Sequence, residues 1–271
     1  MLKQRIITAS ILAPLALWGL FGLGDSYYIL FVSAIVLVAS WEWANLSGAD
    51  KMGCLLYPAS VGVLLLGLNT VRTDTLDLVI LSISAIGWLF AFRFVRQYPD
   101  KKRWSGVMRR LLMGLAVLIP CWVAFVELRT SEWLGKEALL YILLLVWCAD
   151  IGAYFAGKNF GKQKLAPKVS PGKTREGVYG GMLATGALAV LAGLYWQLTA
   201  GQIFVLVLVT LIVTAVSVLG DLLESMVKRF RGIKDSSNLL PGHGGVMDRI
   251  DSLTAAAPIF VLSLKLTGLS L

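Results

Sequence analysis

Three aspartates, Asp221, Asp248 and Asp251, have the types and spacing for chemistry. Asp248 and Asp251 are three residues apart, which puts both carboxylates on one face of a helix. The helix macrodipole favours acids in a first turn. Such capping accounts for one of the pair and not for Asp221. Carboxylates gathered in one place repel unless a cation lies between them. A site made only of oxygens suits Mg²⁺, which takes one or two carboxylates and fills its shell with water and substrate phosphates. Three carboxylates also leave room for a second cation, such as K⁺.

Between these aspartates lie Glu224, Ser225, Lys228, Arg229, Arg231, Lys234 and the run Pro241-Gly242-His243-Gly244-Gly245. Basic groups beside a carboxylate-bound cation are what a polyphosphate needs for charge neutralisation. Glycines let backbone N–H groups come close to phosphate oxygens. His243 is the only histidine. It excludes a multi-histidine metal site and stays open between a phosphate contact and a turn residue.

A second polar run, from Lys162 to Gly177, holds Ser170, Lys173, Thr174 and Glu176. Its Gly172-Lys173-Thr174 resembles the end of a P-loop. That motif needs glycine where this chain has Pro167, and a strand before it. The run still combines hydroxyls and lysines ahead of a helix whose N-terminus favours anions. Glu176 also reads as a residue of that helix's cap. Asp150 and Glu42 lie near the inner ends of other apolar runs. Snorkelling is the simple account of Glu42, whereas Asp150 is short and followed by more helix, so it is a functional candidate.

Hydrophobic sequence must position these groups. The 271 residues are 57% hydrophobic and 15% charged, with mean hydropathy +0.76. Soluble domains carry roughly 25% charge. Apolar runs fall near 5–22, 27–46, 53–70, 76–95, 109–128, 136–156, 177–197, 202–227 and 251–270, each close to the roughly 20 residues that cross a bilayer core. The expected fold is an all-α polytopic integral membrane protein with about nine transmembrane helices. It forms a single transmembrane catalytic domain over 1–271, with the active-site half at roughly 136–271. No small-x-small cleavage site follows the first run, which reads as a retained helix.

With a cytoplasmic N-terminus, segments 1–5, 47–52, 93–110, 157–176 and 228–250 hold 21 of the 25 Lys and Arg residues. That is the positive-inside bias. It places the two termini on opposite faces and the polar loops in the cytoplasm. The same bias explains the net charge of +9 without nucleic acid. Cys54, Cys121 and Cys148 are far apart and imply neither zinc nor a disulfide framework.

The run Ser225-x2-Lys228-Arg229-x4-Lys234-Asp235-x3-Leu239-x-Pro241-Gly-His243-Gly-Gly-x2-Asp248-Arg249-x-Asp251 resembles the signature of the phosphatidate cytidylyltransferases, the CDP-diacylglycerol synthases. The Asp150–Tyr154 segment and the Leu165–Gly177 loop resemble that family too; the first five helices match only in hydropathy. The resemblance implies a bacterial inner-membrane nucleotidyltransferase of phospholipid biosynthesis. Such an enzyme joins CTP to phosphatidic acid, releases pyrophosphate and works as a homodimer among membrane lipids. On that basis Asp221, Asp248 and Asp251 are assigned to Mg²⁺. Lys228 and Arg229 are assigned to phosphate clamping. Ser170, Lys173, Thr174, Glu176, Ser225, Lys234, His243, Gly244 and Gly245 are assigned to CTP or its phosphates. The rivals are a CTP-dependent lipid kinase and an ion-coupled transporter. A transporter calls for midplane charges and repeat symmetry, and neither is found.

Overall fold

A computed structural model describes residues 2–131 and 134–271, without the side chains of residues 2–7 and 9. The basic Lys3 and Arg5 of the expected cytoplasmic N-terminus therefore lie outside the described side chains. Nine α-helices follow in order among the described residues: α1 (Leu2–Leu17), continued by a π-helical turn Trp18–Gly22, then α2 (Asp25–Leu46), α3 (Lys51–Val71), α4 (Asp74–Gln97), α5 (Val107–Thr130), α6 (Gly135–Phe160), α7 (Arg175–Tyr195), α8 (Ala200–Phe230) and α9 (Met247–Thr267). One antiparallel hairpin, β1 (Lys164–Ala166) and β2 (Ser170–Thr174), joins α6 to α7.

Helices α2 to α9 are each long and apolar enough to cross a membrane; the first apolar run, Ser10–Gly22, is shorter. The chain is thus an all-α polytopic integral membrane protein. Eight full spans stand among the described residues, in keeping with the expected count of about nine. Helix α9 is the hub and packs against α8, α5, α4, α2 and α6. Two thirds of its apolar window is buried, as in α5, against 17% for α3, which turns most of its surface outward. The helix that starts with Asp248 and Asp251 is therefore held from several sides.

Helix α8 departs from its expected end. It runs 31 residues to Phe230, so Lys228 and Arg229 belong to its last turn and not to the loop. The cause is local: Glu224 and Lys228 pair at i,i+4, and cations suit a helix C-terminus. The helix stops at Gly232, whose φ of 71° is left-handed, with Ile233 N–H bonding back to Lys228 O at 3.0 Å. Ala200 to Asp221 spans about 32 Å at 1.5 Å per residue. That length matches a hydrocarbon core roughly 30 Å thick, with Asp221 near one end of it.

Three of the four basic residues outside the polar loops, Arg72, Arg129 and Lys265, are ion-paired. Arg72 pairs with Asp77 at 2.6 Å and with Glu127 at 3.0 Å, Lys265 with Glu127 at 2.6 Å, and Arg129 with Asp25 at 3.1 Å. These pairs tie α3, α4, α5 and α9 together at the end away from the carboxylates.

Candidate active site

On α8 the residues Asp221, Glu224, Ser225 and Lys228 fall at i, i+3, i+4 and i+7, one face of the helix. That face meets the start of α9. Gly220 makes the approach close, since a Cβ there would lie 2.5 Å from the Asp251 carbonyl oxygen and 2.9 Å from Ala255 Cβ. Small residues of this kind let membrane helices pack backbone to backbone. Gly220→Val is expected to push α8 from α9 and lower the melting temperature in detergent by several degrees, with turnover falling at least tenfold. Thermal unfolding and an activity assay on the same preparation check this.

Two carboxylates hold the loop between α8 and α9. Glu42, fully buried on α2, accepts from Ser237 Oγ at 2.6 Å, Ser236 Oγ at 3.1 Å, Val246 N at 3.0 Å and Met247 N at 2.6 Å. It thereby caps α9 from another helix, a position where α9 has no side-chain cap of its own. Asp248 Oδ2 accepts from Ser236 N at 2.8 Å, Ser236 Oγ at 2.9 Å and Gly245 N at 2.8 Å, while Oδ1 meets Lys228 Nζ at 2.5 Å. Lys228 also holds Glu224 at 2.6 Å. Snorkelling is therefore not the role of Glu42, and sequence gave Ser236 and Ser237 no part at all.

The glycine run is a turn fastened by these acceptors. His243 N donates to Leu240 O at 2.8 Å and Leu240 N to Gly244 O at 2.8 Å. Gly244 has a φ of 81°, which favours glycine. The Gly245 N–H, expected to face phosphate, is engaged by Asp248. Thr8 Oγ1 on α1 donates to Pro241 O at 2.9 Å, which brings the first helix to the same loop. Lys234 is exposed beside it.

The β-hairpin brings a cation to α8. Lys173 Nζ lies 2.6 Å from Asp221 Oδ2, and Ser225 Oγ donates to Asp221 Oδ1 at 3.1 Å. Thr174 and Glu176 are what keep the hairpin in place. Thr174 Oγ1 caps α7 by accepting from Gly177 N at 3.1 Å. Glu176 accepts from Lys162 N and Gln163 N, each at 3.1 Å. Arg229 Nε reaches Val169 O at 3.3 Å and ties the end of α8 to the hairpin. Ser170 pairs with Ala166 beside the hairpin's turn. A cavity of about 380 Å³ opens beside Lys173, lined also by Asp150, Lys158, Thr174, Gly177 and Thr214. Asp150 faces Lys173, Asp221 and Arg249 electrostatically.

Among the described residues no three carboxylates form a ready metal cage. The aspartate trio divides instead. Asp248 is committed to Lys228, Ser236 and Gly245. Asp251 and Asp221 lie near enough for their like charges to act on one another. Glu224 Oε1 beside them is buried without a hydrogen-bond partner. Two carboxylates completed by substrate phosphates are the usual complement of Mg²⁺, so the Asp221–Asp251 pair fits that ion. Asp248 fits the task of fixing Lys228 and the loop.

Carboxylates and lysines gathered beside a cleft at one end of a helical membrane protein are what a membrane enzyme acting on phosphates requires. Residues 3–267 match the cytidylyltransferase family, and the chain belongs to it as a nucleotidyltransferase. It is 48% identical to the phosphatidate cytidylyltransferase of Pseudomonas aeruginosa, over 99% of this chain and 98% of that protein. It is 39% identical to the enzyme of that name from Haemophilus influenzae, over 96% and 97%, and 31% identical to that of Bacillus subtilis, over 98% of each.

Proposed function

We propose that this chain transfers CMP from CTP to phosphatidic acid, giving CDP-diacylglycerol and pyrophosphate. The observation that carries the reading is the Lys173–Asp221–Asp251 arrangement beside the cavity, in a chain related along its whole length to enzymes of that name. The phosphate monoester of the lipid is the nucleophile. Its second pKa near 6 leaves it largely dianionic at neutral pH, so no general base is required. A lipid phosphate oxygen bonds to the α-phosphorus of CTP, and the bond from that phosphorus to the α–β bridging oxygen breaks. The electrons leave with pyrophosphate.

The obstacle is the meeting of two anions, so positioning and charge neutralisation carry the catalysis. Asp221 and Asp251 would hold Mg²⁺, which would supply Lewis-acid charge toward the phosphates. Lys173 releases Asp221 and turns to phosphate as the nucleotide enters. Asp150 and Lys158 line the same nucleotide cavity. Lys228, fixed by Glu224 and Asp248, sets the field on the opposite side, and Arg229 keeps the hairpin closed over the site. A second cation such as K⁺ would be held by the remaining oxygens.

The enzyme resides in a bacterial inner membrane as a homodimer, with its site toward the cytoplasm. Supporting the orientation are the basic loops on the carboxylate side and the ion-paired arginines and lysine on the other. Reporter tags at the two chain ends are expected on opposite faces of the membrane. Finding both on one face overturns the assigned orientation.

The activity is tested with CTP labelled in its β- and γ-phosphates, in vesicles with and without phosphatidic acid. Labelled pyrophosphate is expected only when lipid and Mg²⁺ are both present. Release of CDP, with label on the lipid, identifies a lipid kinase instead.

A further inference from the structure

A second and larger cavity of about 650 Å³ lies on the other side of the hairpin, between the inner ends of α4 and α8 and the start of α7. Its wall is apolar: Phe92 from α4, Leu165 from the hairpin, and Leu219 and Leu222 from α8. Phe92 is exposed, so the wall continues onto the surface that the bilayer covers. Its inner rim carries three exposed cations from three separate elements, Arg96 on α4, Lys168 in the hairpin turn and Arg175 on α7. Among the described residues neither Arg96 nor Lys168 forms an ion pair or hydrogen bond, and no carboxylate lines the cavity.

The two cavities meet at Val178 of α7 and Val218 of α8, which line both. The hairpin divides them. Lys173 and Thr174 face the carboxylate side, and Leu165 to Val169 face the other. The chambers thus differ in polarity. One is walled by Asp150, Lys158 and Lys173; the other pairs an apolar wall with cations that no carboxylate neutralises.

We propose that this groove receives phosphatidic acid. The apolar wall between α4 and α8 seats the first part of the acyl chains. Arg96, Lys168 and Arg175 draw the phosphate to the rim, and the lipid then reaches the nucleotide past Val178 and Val218. The assignment rests on the reading of the chain as a phosphatidate cytidylyltransferase. Charge complementarity selects the occupant: a phosphomonoester carries close to two negative charges, whereas a zwitterionic headgroup carries no net charge for three cations to hold. The apolar wall excludes a free sugar phosphate as the main ligand.

The test uses the full-length protein in vesicles of phosphatidylcholine with varied phosphatidic acid. The double variant Arg96→Gln/Lys168→Gln replaces exposed side chains, so folding is not at stake. Its apparent KM for phosphatidic acid, in mole per cent, is expected to rise about tenfold, with kcat and the KM for CTP unchanged, as for lost ground-state binding. A rise in the KM for CTP instead, or no change in either, overturns the proposal.

Photolabelling with a phosphatidic acid that carries a diazirine near the ester gives a second readout that needs no turnover. Adducts are expected on the segments around Phe92 and Leu219, and unlabelled phosphatidic acid should compete for them. Adducts on Ala149 to Lys158, or equal competition by phosphatidylcholine or inorganic phosphate, overturn it. Wild-type protein that is labelled in the groove but releases no pyrophosphate supports the groove and fails the assigned reaction, so the two failures are told apart.

Discussion

Asp251→Asn is expected to lower pyrophosphate release at least about 10³-fold, the scale of losing an electrostatic element at a reacting phosphate. The protein should insert, purify and melt as the wild type does, or slightly later. Asparagine keeps the size of the side chain and an oxygen to accept the Ser252 N–H, which lies 2.7 Å from Asp251 Oδ1. It removes a negative charge that acts against Asp221 and Glu224, so repulsion in the folded state falls while cation binding is lost. Activity and stability therefore move apart. Asp248→Asn should also stop turnover, but with lower thermal stability, because Lys228, Ser236 and Gly245 all lose a charged acceptor. Turnover of Asp251→Asn within a few-fold of the wild type would sink the metal assignment.

Glu42→Ala should produce the largest stability loss of any substitution outside the carboxylate cluster. Three donors lose their acceptor at once, Ser237 Oγ and the Val246 and Met247 N–H groups at the start of the central helix, while Ser236 Oγ keeps Asp248. Removing one member of a buried charged network costs about 3–5 kcal/mol, because the groups left behind stay desolvated and unpaired. The loop over 231–246 should become sensitive to protease, and turnover should fall with it, because Asp248 and Lys228 lean on the same loop. Glu42→Gln keeps one acceptor oxygen but turns an NH₂ toward donors. An intermediate melting temperature is expected for it, between those of wild type and alanine. If Glu42→Ala melts with the wild type and resists protease equally, the loop is not held from α2.

Much of the fold was legible because the bilayer is a simple solvent. Long apolar runs must become helices there, since no other open structure satisfies its backbone. Runs near 20 residues therefore gave the helices, and loop charge gave their expected orientation. The length of α8 was not legible from hydropathy, since Lys228 and Arg229 look like loop residues until their pairing with Glu224 and the helix dipole are counted.

The site divides the same way. Residue types and spacing by themselves determined a helical membrane protein, and they singled out the carboxylates at 221, 248 and 251, with the lysines and hydroxyls at 170–176, as the candidates for handling phosphate. Local rules reach that far, because i,i+3 spacing and composition need only neighbouring residues. Only the tertiary structure decided how the carboxylates divide: Asp221 pairs with Lys173 and acts on Asp251, Asp248 fastens a loop, and Glu42, some 200 residues earlier in the chain, caps α9. Thr174 and Glu176 became anchors of the hairpin that presents Lys173. Those roles follow from which donors packing leaves unsatisfied. A buried N–H takes the nearest acceptor that the fold supplies, and sequence distance has no bearing on which one that is.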